Sequence, residues 1–259
     1  MNRFRYLKAA SLRDAVRSQG KSNKAKYLAG GQTLLPSIKQ LLDAPERLID
    51  LSDTGLDGID AGRKTITIGA MTRHADVAAS EQVRESIPAL AELAGQIGDA
   101  QVRNRGTIGG SVANSDPAAD YPAALLGLGA LVHTNSRRIP AENFFLGLFQ
   151  NALKTGELIT KVEFQIPTKA AYEKFPNPAS RYAIVGVFAA NFDHMTRIGV
   201  TGAAHSAFRW MEAESLGLGA KDLSNVSLDQ STFNSDLYAS ATYRAQLVRV
   251  LTLRAVSRL

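Results

Sequence analysis

A chain of 259 residues in which 45% of side chains are hydrophobic is long enough for two domains and apolar enough to bury a sizeable core. It contains no cysteine, which excludes disulfides, thiolate nucleophiles and zinc or iron–sulfur centres held by cysteines of this chain, so redox chemistry would fall to an organic cofactor. The net charge of +6 and a pI of about 9.6 raise the question of nucleic acid or an acidic partner.

Much of that charge is local. Residues 1–26 hold Arg3, Arg5, Lys8, Arg13, Arg17, Lys21, Lys24 and Lys26 against the single acid Asp14. They read as a solvated face of the first helix and its flanks, the alternative being a docking surface for an acidic partner or for cofactor phosphates. No nucleic-acid motif and no interleaved aromatic pattern accompanies them. The segment lacks the apolar core of a signal peptide, and no apolar run of ~18 residues occurs, so a cytoplasmic protein without a transmembrane segment is expected.

Ser11-Leu12-Arg13-Asp14 resembles a capping box and starts a helix that ends near Gly20. Tyr27-Leu28-Ala29 predicts a short strand running into a first glycine turn, Ala29-Gly30-Gly31-Gln32-Thr33. Pro36 then begins a helix through Ile38, Leu41 and Leu42. Arg47-Leu48-Ile49-Asp50-Leu51 alternates like a strand, and the Gly- and Asp-rich residues 53–62 break the pattern at a subdomain boundary.

Residues 65–69 predict a strand, followed by a helix capped by Thr72 and helices over residues 80–97. A second glycine turn follows, Thr107-Ile108-Gly109-Gly110-Ser111. Residues 117–128 read as a helix and residues 130–134 and 158–166 as strands, while Pro176 and Pro178 place residues 172–180 in a loop. Residues 182–192 and 198–208 predict paired strands. The last helix spans residues 239–256, and its Arg244, Arg249, Arg254 and Arg258 read as a wet face. No repeat of fixed period appears. The sum is α+β, with an N-terminal unit of two subdomains and a smaller C-terminal unit.

Taken singly, either glycine pair is an ordinary tight turn. Together, with Gln32 and Thr33 after the first and Thr107 and Ser111 around the second, they offer backbone N–H groups and hydroxyl or amide donors where the oxygens of a pyrophosphate would lie. Neither matches G-x-G-x-x-G or the P-loop, and G-L-G-A near residues 127 and 217 lacks its third glycine, so the pair points to a dinucleotide outside those folds. In Asn114-Ser115-Asp116-Pro117-Ala118-Ala119-Asp120, Asp116 is assigned the helix cap. Asp120 is left free to accept from sugar or ribityl hydroxyls. His74, His133, His194 and His205 lack metal-ligand spacing and read as structural or exposed, and no G-x-S-x-G occurs.

The stretches YLAGGQTLLPSIKQLLDAPERLIDLS, IGDAQVRNRGTIGGSVANSDPAADYPAAL, AAYEKFPNPASRYAIVGVFAA and YRAQLVRVLTLRA resemble the FAD-binding medium subunit of molybdenum hydroxylases, the carbon monoxide dehydrogenase and xanthine dehydrogenase family. The resemblance implies a PCMH-type, vanillyl-alcohol-oxidase-like FAD domain over residues 1–170, with subdomains of about 1–55 and 56–170, and a C-terminal flavoprotein domain over 171–259. Tyr27, Leu28, Ala29, Gly30, Gly31, Gln32, Thr33 and Leu34 would line the cofactor with Thr107, Ile108, Gly109, Gly110 and Ser111, the two loops holding its pyrophosphate. Asp120 would contact FAD, Ile97 would form a wall, and Lys174 and Tyr182 would approach the isoalloxazine. One departure is Arg181-Tyr182-Ala183, where the family often has an acid before the aromatic residue.

The same resemblance implies partners: a small subunit with [2Fe–2S] clusters and a large subunit with the molybdenum cofactor, assembled as a dimer of heterotrimers. This chain would relay electrons to an external acceptor without a catalytic acid–base residue or metal of its own. A self-contained FAD oxidase or reductase of the same fold is the alternative, and a basic binding module without flavin is a third class.

Overall fold

The computed structural model describes residues 3–20, 22, 24–193, 195–217 and 222–259; His194, Lys21 and the end of the second G-L-G-A stretch lie outside the described residues. Helices and strands are mixed in an α+β architecture built on three main sheets.

In the first sheet β3 (Arg47–Asp50) lies between β1 (Arg5–Lys8) and β2 (Ala25–Leu28), parallel to both. Parallel neighbours need crossovers, and two short helices supply them. The first, α1 (Leu12–Gln19), is capped as expected, with Ser11 Oγ accepting from the Asp14 N–H. The second, α2 (Leu34–Lys39), stops sooner than expected. Leu41 adopts φ +61°, and the N–H groups of Leu42 and Leu41 bond back to Ser37 and Ile38 carbonyls, the Schellman pattern usually closed by glycine. Leu41 and Leu42 therefore end exposed outside the helix.

The second sheet is antiparallel, ordered β4 (Ile59–Ala61), β5 (Thr65–Gly69), β10 (Ile159–Gln165), β6 (Leu131–Thr134) and β7 (Arg138–Pro140). Its apolar face packs on α3 (His74–Ala79), α4 (Glu81–Ser86), α5 (Pro88–Gly95), α7 (Ile108–Asn114) and α8 (Tyr121–Gly127), which enclose the largest core. A further short helix, α6 (Ala100–Arg105), leads into α7. Two expectations change here, those for Thr72 and for Asp116, and the helices of residues 80–97 gain a boundary. Thr72 does not cap α3, because its hydroxyl is engaged with both backbone groups of Gly58. Pro88, which has no N–H to continue a helix, divides residues 80–97 into α4 and α5. Asp116 Oδ1 accepts from the Ala118 N–H in a side-chain turn, so α8 begins only at Tyr121.

The third sheet runs β11 (Lys169–Pro176), β12 (Ala183–Phe192), β13 (Met195–Thr201) and β14 (Phe208–Arg209), all antiparallel. Residues 172–176 are thus strand, not loop: Pro176 is tolerated because it sits at the end of β11 beside a register shift. The expected strand 198–208 is two pieces, β13 and β14. Alternate residues of β12 enter opposite cores, Phe188 and Ala190 with α8, Val185, Val187 and Ala189 with the terminal helix α10 (Ala241–Ser257). A two-residue pairing of β8 (Phe145–Gly147) with β9 (Gln150–Asn151) and the short α9 (Met211–Glu214) complete the elements used below.

The arginines of α10 correct the wet-face expectation. Arg244 is buried, donating to the Ile184 and Gly202 carbonyls and to Asp236. Arg249 bonds the Leu223 carbonyl, and Arg258 pairs with Glu92 of α5 and Glu173 of β11. Arg254 is exposed, and Arg258, just past the helix, keeps 43% of its side chain exposed beside those carboxylates. The basic N-terminal segment is partly neutralised too, through Lys8–Asp53, Arg17–Asp14, Lys24–Glu46 and Lys26–Asp43.

Glu157 ties the β6–β7 turn to the chain before β10. Its carboxylate accepts from Arg137 Nε and Nη2 at 2.9 and 3.0 Å, Thr134 Oγ1 at 2.8 Å, Ser136 Oγ at 3.1 Å and the Lys154 N–H at 2.8 Å. Burial pushes its pKa up, but Arg137 and these other donors win and hold it at about 2. A carboxylate lowered in this way adds stability above its unfolded value of 4.5 that is lost as pH falls toward 2. Glu157→Gln is therefore expected to lower unfolding stability at pH 7 by about 2 kcal/mol, with the gap to the parent closing between pH 4.5 and 2. Denaturant titrations across that range check it; a gap independent of pH would contradict the charge argument.

Candidate functional site

The chain leaving β2, the start of α7 and the segment before β12 converge on a cleft of about 520 Å³, within the range of small-molecule and cofactor sites. The first glycine loop forms one wall. Gly31 turns at φ +73°, and no group among the described residues accepts from the N–H groups of Gly30, Gly31, Gln32 and Thr33. Successive unpaired N–H groups around a left-handed residue make a concavity for an anion. Gly30 is fixed from behind: a Cβ there would lie 2.1 Å from the Arg105 carbonyl oxygen.

The second glycine pair is not a turn. It is the first turn of α7, capped by Thr107, and its N–H groups are spent: Ile108 donates to Thr72 O, Gly109 to Ala70 O at 2.9 Å and Gly110 to Thr107 Oγ1 at 3.2 Å. What it offers the cleft is space. A Cβ on Gly110 would meet only Thr107 Oγ1 at 2.9 Å and, at 3.7 Å, Ala29 Cβ of the first loop. Gly109 is packed against β5's end, where a Cβ would fall 2.5 Å from Ala70 Cβ.

Asp120 lies at the base of the cleft and is 4% exposed. Its Oδ1 accepts from Tyr172 Oη at 2.5 Å and pairs with Lys174 Nζ at 2.7 Å. Burial pushes its carboxyl up, opposed by the Lys174 ammonium and the Tyr172 hydroxyl. Lys174 Nζ also reaches the Gln96 carbonyl. Tyr27 donates to Gly156 O at 3.1 Å, and burial raises its hydroxyl to about 12. At the rim the Tyr182 hydroxyl is pushed up by burial and by the nearby Asp116 and Asp120.

Of the residues singled out in the sequence, Tyr27, Ala29, Gly30, Gly31, Gln32, Thr33, Leu34, Ile97, Thr107, Gly109, Gly110, Ser111, Asp120 and Tyr182 line this cleft. Leu28 sits under the first loop, near Gly31, and Ile108 is fully buried in the main core. Lys174 stands behind Asp120 and reaches the cleft only through it. Sequence reasoning missed His74, Gly98, Gly106, Asn114, Glu157 and Leu158 in the lining. Gly106 adjoins a recognised motif and so was within reach; Glu157 and Leu158 are brought in by bonds to Thr134, Asn135, Ser136 and Arg137 that no local pattern announces. His74 is held neutral, its imidazole lowered to about 4 by burial and the field of Arg103.

Residues 2–169 match the family described as FAD binding domain in molybdopterin dehydrogenase. The chain is 32% identical to the glyceraldehyde dehydrogenase medium chain of Sulfolobus acidocaldarius, covering 97% of this chain and 96% of that one. It is 35% identical to the carbon monoxide dehydrogenase medium chain of Hydrogenophaga pseudoflava, covering 98% and 96%. A chain of the Cu,Mo-CO dehydrogenase in its cyanide-inactivated form superposes with a TM-score of 0.89 at 30% identity, over 100% of this chain and 98% of that chain.

Proposed function

The chain belongs to the family of FAD-binding domains of molybdopterin dehydrogenases, and from that premise we propose that it is the electron-transfer subunit of a molybdenum hydroxylase complex. It takes electrons from [2Fe–2S] clusters on a small partner subunit and passes them to an external acceptor, while a large partner subunit carries the molybdenum cofactor. The assembly is a dimer of such heterotrimers, in the cytoplasm. Among the described residues no helix is long and apolar enough to cross a membrane.

The observation that carries the reading is the run of unpartnered N–H groups from Gly30 to Thr33, facing the open space beside Gly110 across one cleft. These residues fit a dinucleotide pyrophosphate. When bound, FAD supplies the one- and two-electron chemistry that amino-acid side chains lack. The first loop donates to the phosphate oxygens, Gly110 provides clearance and Ser111 a hydroxyl. The Tyr172 and Lys174 contacts of Asp120 both fall on Oδ1, and Oδ2 is the oxygen assigned to a cofactor hydroxyl. Ile97 and Tyr182 wall the ring system, and Lys174 acts through Asp120. Arg181, in place of the acid common in relatives, sets a cation at the rim. In domain terms residues 1–170 hold the cofactor, in halves of about 1–55 and 56–170, and residues 171–259 form the smaller flavoprotein domain.

The purified chain is expected to be yellow and to release FAD on denaturation. Asp120→Ala should lower FAD affinity by roughly tenfold or more, the value of a charge-assisted hydrogen bond, whereas Asp116→Ala should change it little. Fluorescence titration of the apoproteins, with melting curves run alongside because Lys174 loses its counter-ion, measures both. A chain that takes up no FAD overturns the function, and equal affinities in the two variants overturn the role of Asp120.

A further inference from the structure

Helix α5 ends beside the cleft, and the carbonyls of its C-cap Gln96 and of the two residues that follow, Ile97 and Gly98, are taken by two cations from elsewhere. Lys174 Nζ takes Gln96 O at 3.1 Å. A single atom of Arg103, Nη1, takes both Ile97 O at 3.0 Å and Gly98 O at 2.9 Å. Ile97 and Gly98 both line the cleft, and Gly98 turns there at φ +51°. Arg103 itself sits on α6, whose far end is equally engaged: the Arg105 carbonyl oxygen abuts Gly30 of the first loop, and Gly106 continues directly into Thr107 and α7. The six residues of α6 thus touch the Ile97–Gly98 wall, the first glycine loop and the second.

We propose that Arg103 is a positioning residue for FAD, gripping the Ile97 and Gly98 carbonyls so that this wall stands at a fixed distance from the two glycine loops. Asp99, which caps α6 by accepting from the Val102 N–H, holds the helix in the orientation that lets Arg103 reach back. A guanidinium suits the task because it stays charged and its donors are held in one plane. Removing it frees two carbonyls in the half-buried segment after α5, so the loss falls on the placement of the wall and only slightly on folding. The inference rests on FAD occupying this cleft.

The test compares the parent chain with Arg103→Met, which keeps an aliphatic stem without a donor, Arg103→Lys, which restores a donor and a charge, and Asn104→Ala on the exposed side of α6. FAD affinity of the apoproteins, visible circular dichroism of the bound flavin and melting temperature are read for each. Arg103→Met is expected to weaken FAD binding about tenfold and to change the flavin dichroism while the apoprotein melts close to the parent. Arg103→Lys should recover most of the affinity, and Asn104→Ala should match the parent throughout. If the parent chain bound no FAD, the functional reading itself would fail. If the parent bound FAD and Arg103→Met bound it within twofold with an unchanged dichroism, the positioning role would be wrong. Failure of Arg103→Met to fold, or equal losses in the Met and Lys variants, would likewise overturn it by assigning Arg103 to the stability of the chain.

Discussion

Gly110→Val is expected to give a folded protein that no longer retains FAD. Gly110 is helical, so no left-handed conformation is lost, and the first added atom meets only the end of the Thr107 side chain and, at 3.7 Å, Ala29. The branched methyl groups then fill the gap between α7 and the first loop, the space assigned to the pyrophosphate. Their bulk excludes the phosphates outright, so bound flavin should fall from one per chain to none detectable. The neighbouring glycine supplies the contrast. A Cβ at Gly109 would stand 2.5 Å from Ala70 Cβ and 2.7 Å from Ala70 O, inside the core, so Gly109→Ala must push α7 off the end of β5. Overpacking of that kind destabilises by about 1–3 kcal/mol, and Gly109→Ala should lower the melting temperature more than the larger change at Gly110 does. Flavin absorbance per folded chain and apoprotein melting curves separate the two effects. Full flavin content in folded Gly110→Val would remove the pyrophosphate from this gap.

The two glycine pairs look alike in sequence and do different work, and this marks where local reading stops. The first was legible because an apolar strand runs straight into it and a proline-containing helix follows. The second carries two glycines in what proves to be a helical first turn, where intrinsic propensity argues against helix; long-range bonds to Ala70 and Thr72 decide otherwise. Asp116 reads as a helix cap and Asp120 as a free acceptor, whereas Asp116 closes a side-chain turn and Asp120 already has two protein partners. Pro176 and Pro178 suggested a loop, whereas β11 brings Tyr172 and Lys174 to it from more than fifty residues away. Arg244 looked solvated for the same reason: the carbonyls of Ile184 and Gly202 that bury it lie on β12 and just after β13. Residues whose role depends on one neighbour in the chain were readable, and those recruited across sheets were not.

The isolated chain loaded with FAD is expected to be bleached by dithionite and to show no turnover of carbon monoxide, aldehydes, purines or N-heterocycles. With no cysteine it cannot ligate an iron–sulfur cluster through thiolates, and among the described residues no three His, Asp or Glu side chains stand close enough to hold a metal ion. The cleft residues bind, orient and hydrogen-bond. His74, the imidazole in the lining, is neutral and buried, and Asp120 is tied to Lys174 and Tyr172, so neither is poised as a free acid–base group for an organic substrate. Adding partner subunits that carry the clusters and the molybdenum cofactor should then make flavin bleaching depend on substrate, because electrons gain a route into the cleft. Anaerobic spectroscopy of the flavin band, with and without partners, reads this directly. Substrate-driven bleaching of the metal-free chain alone would overturn the subunit reading and establish a self-contained flavoenzyme on the same fold.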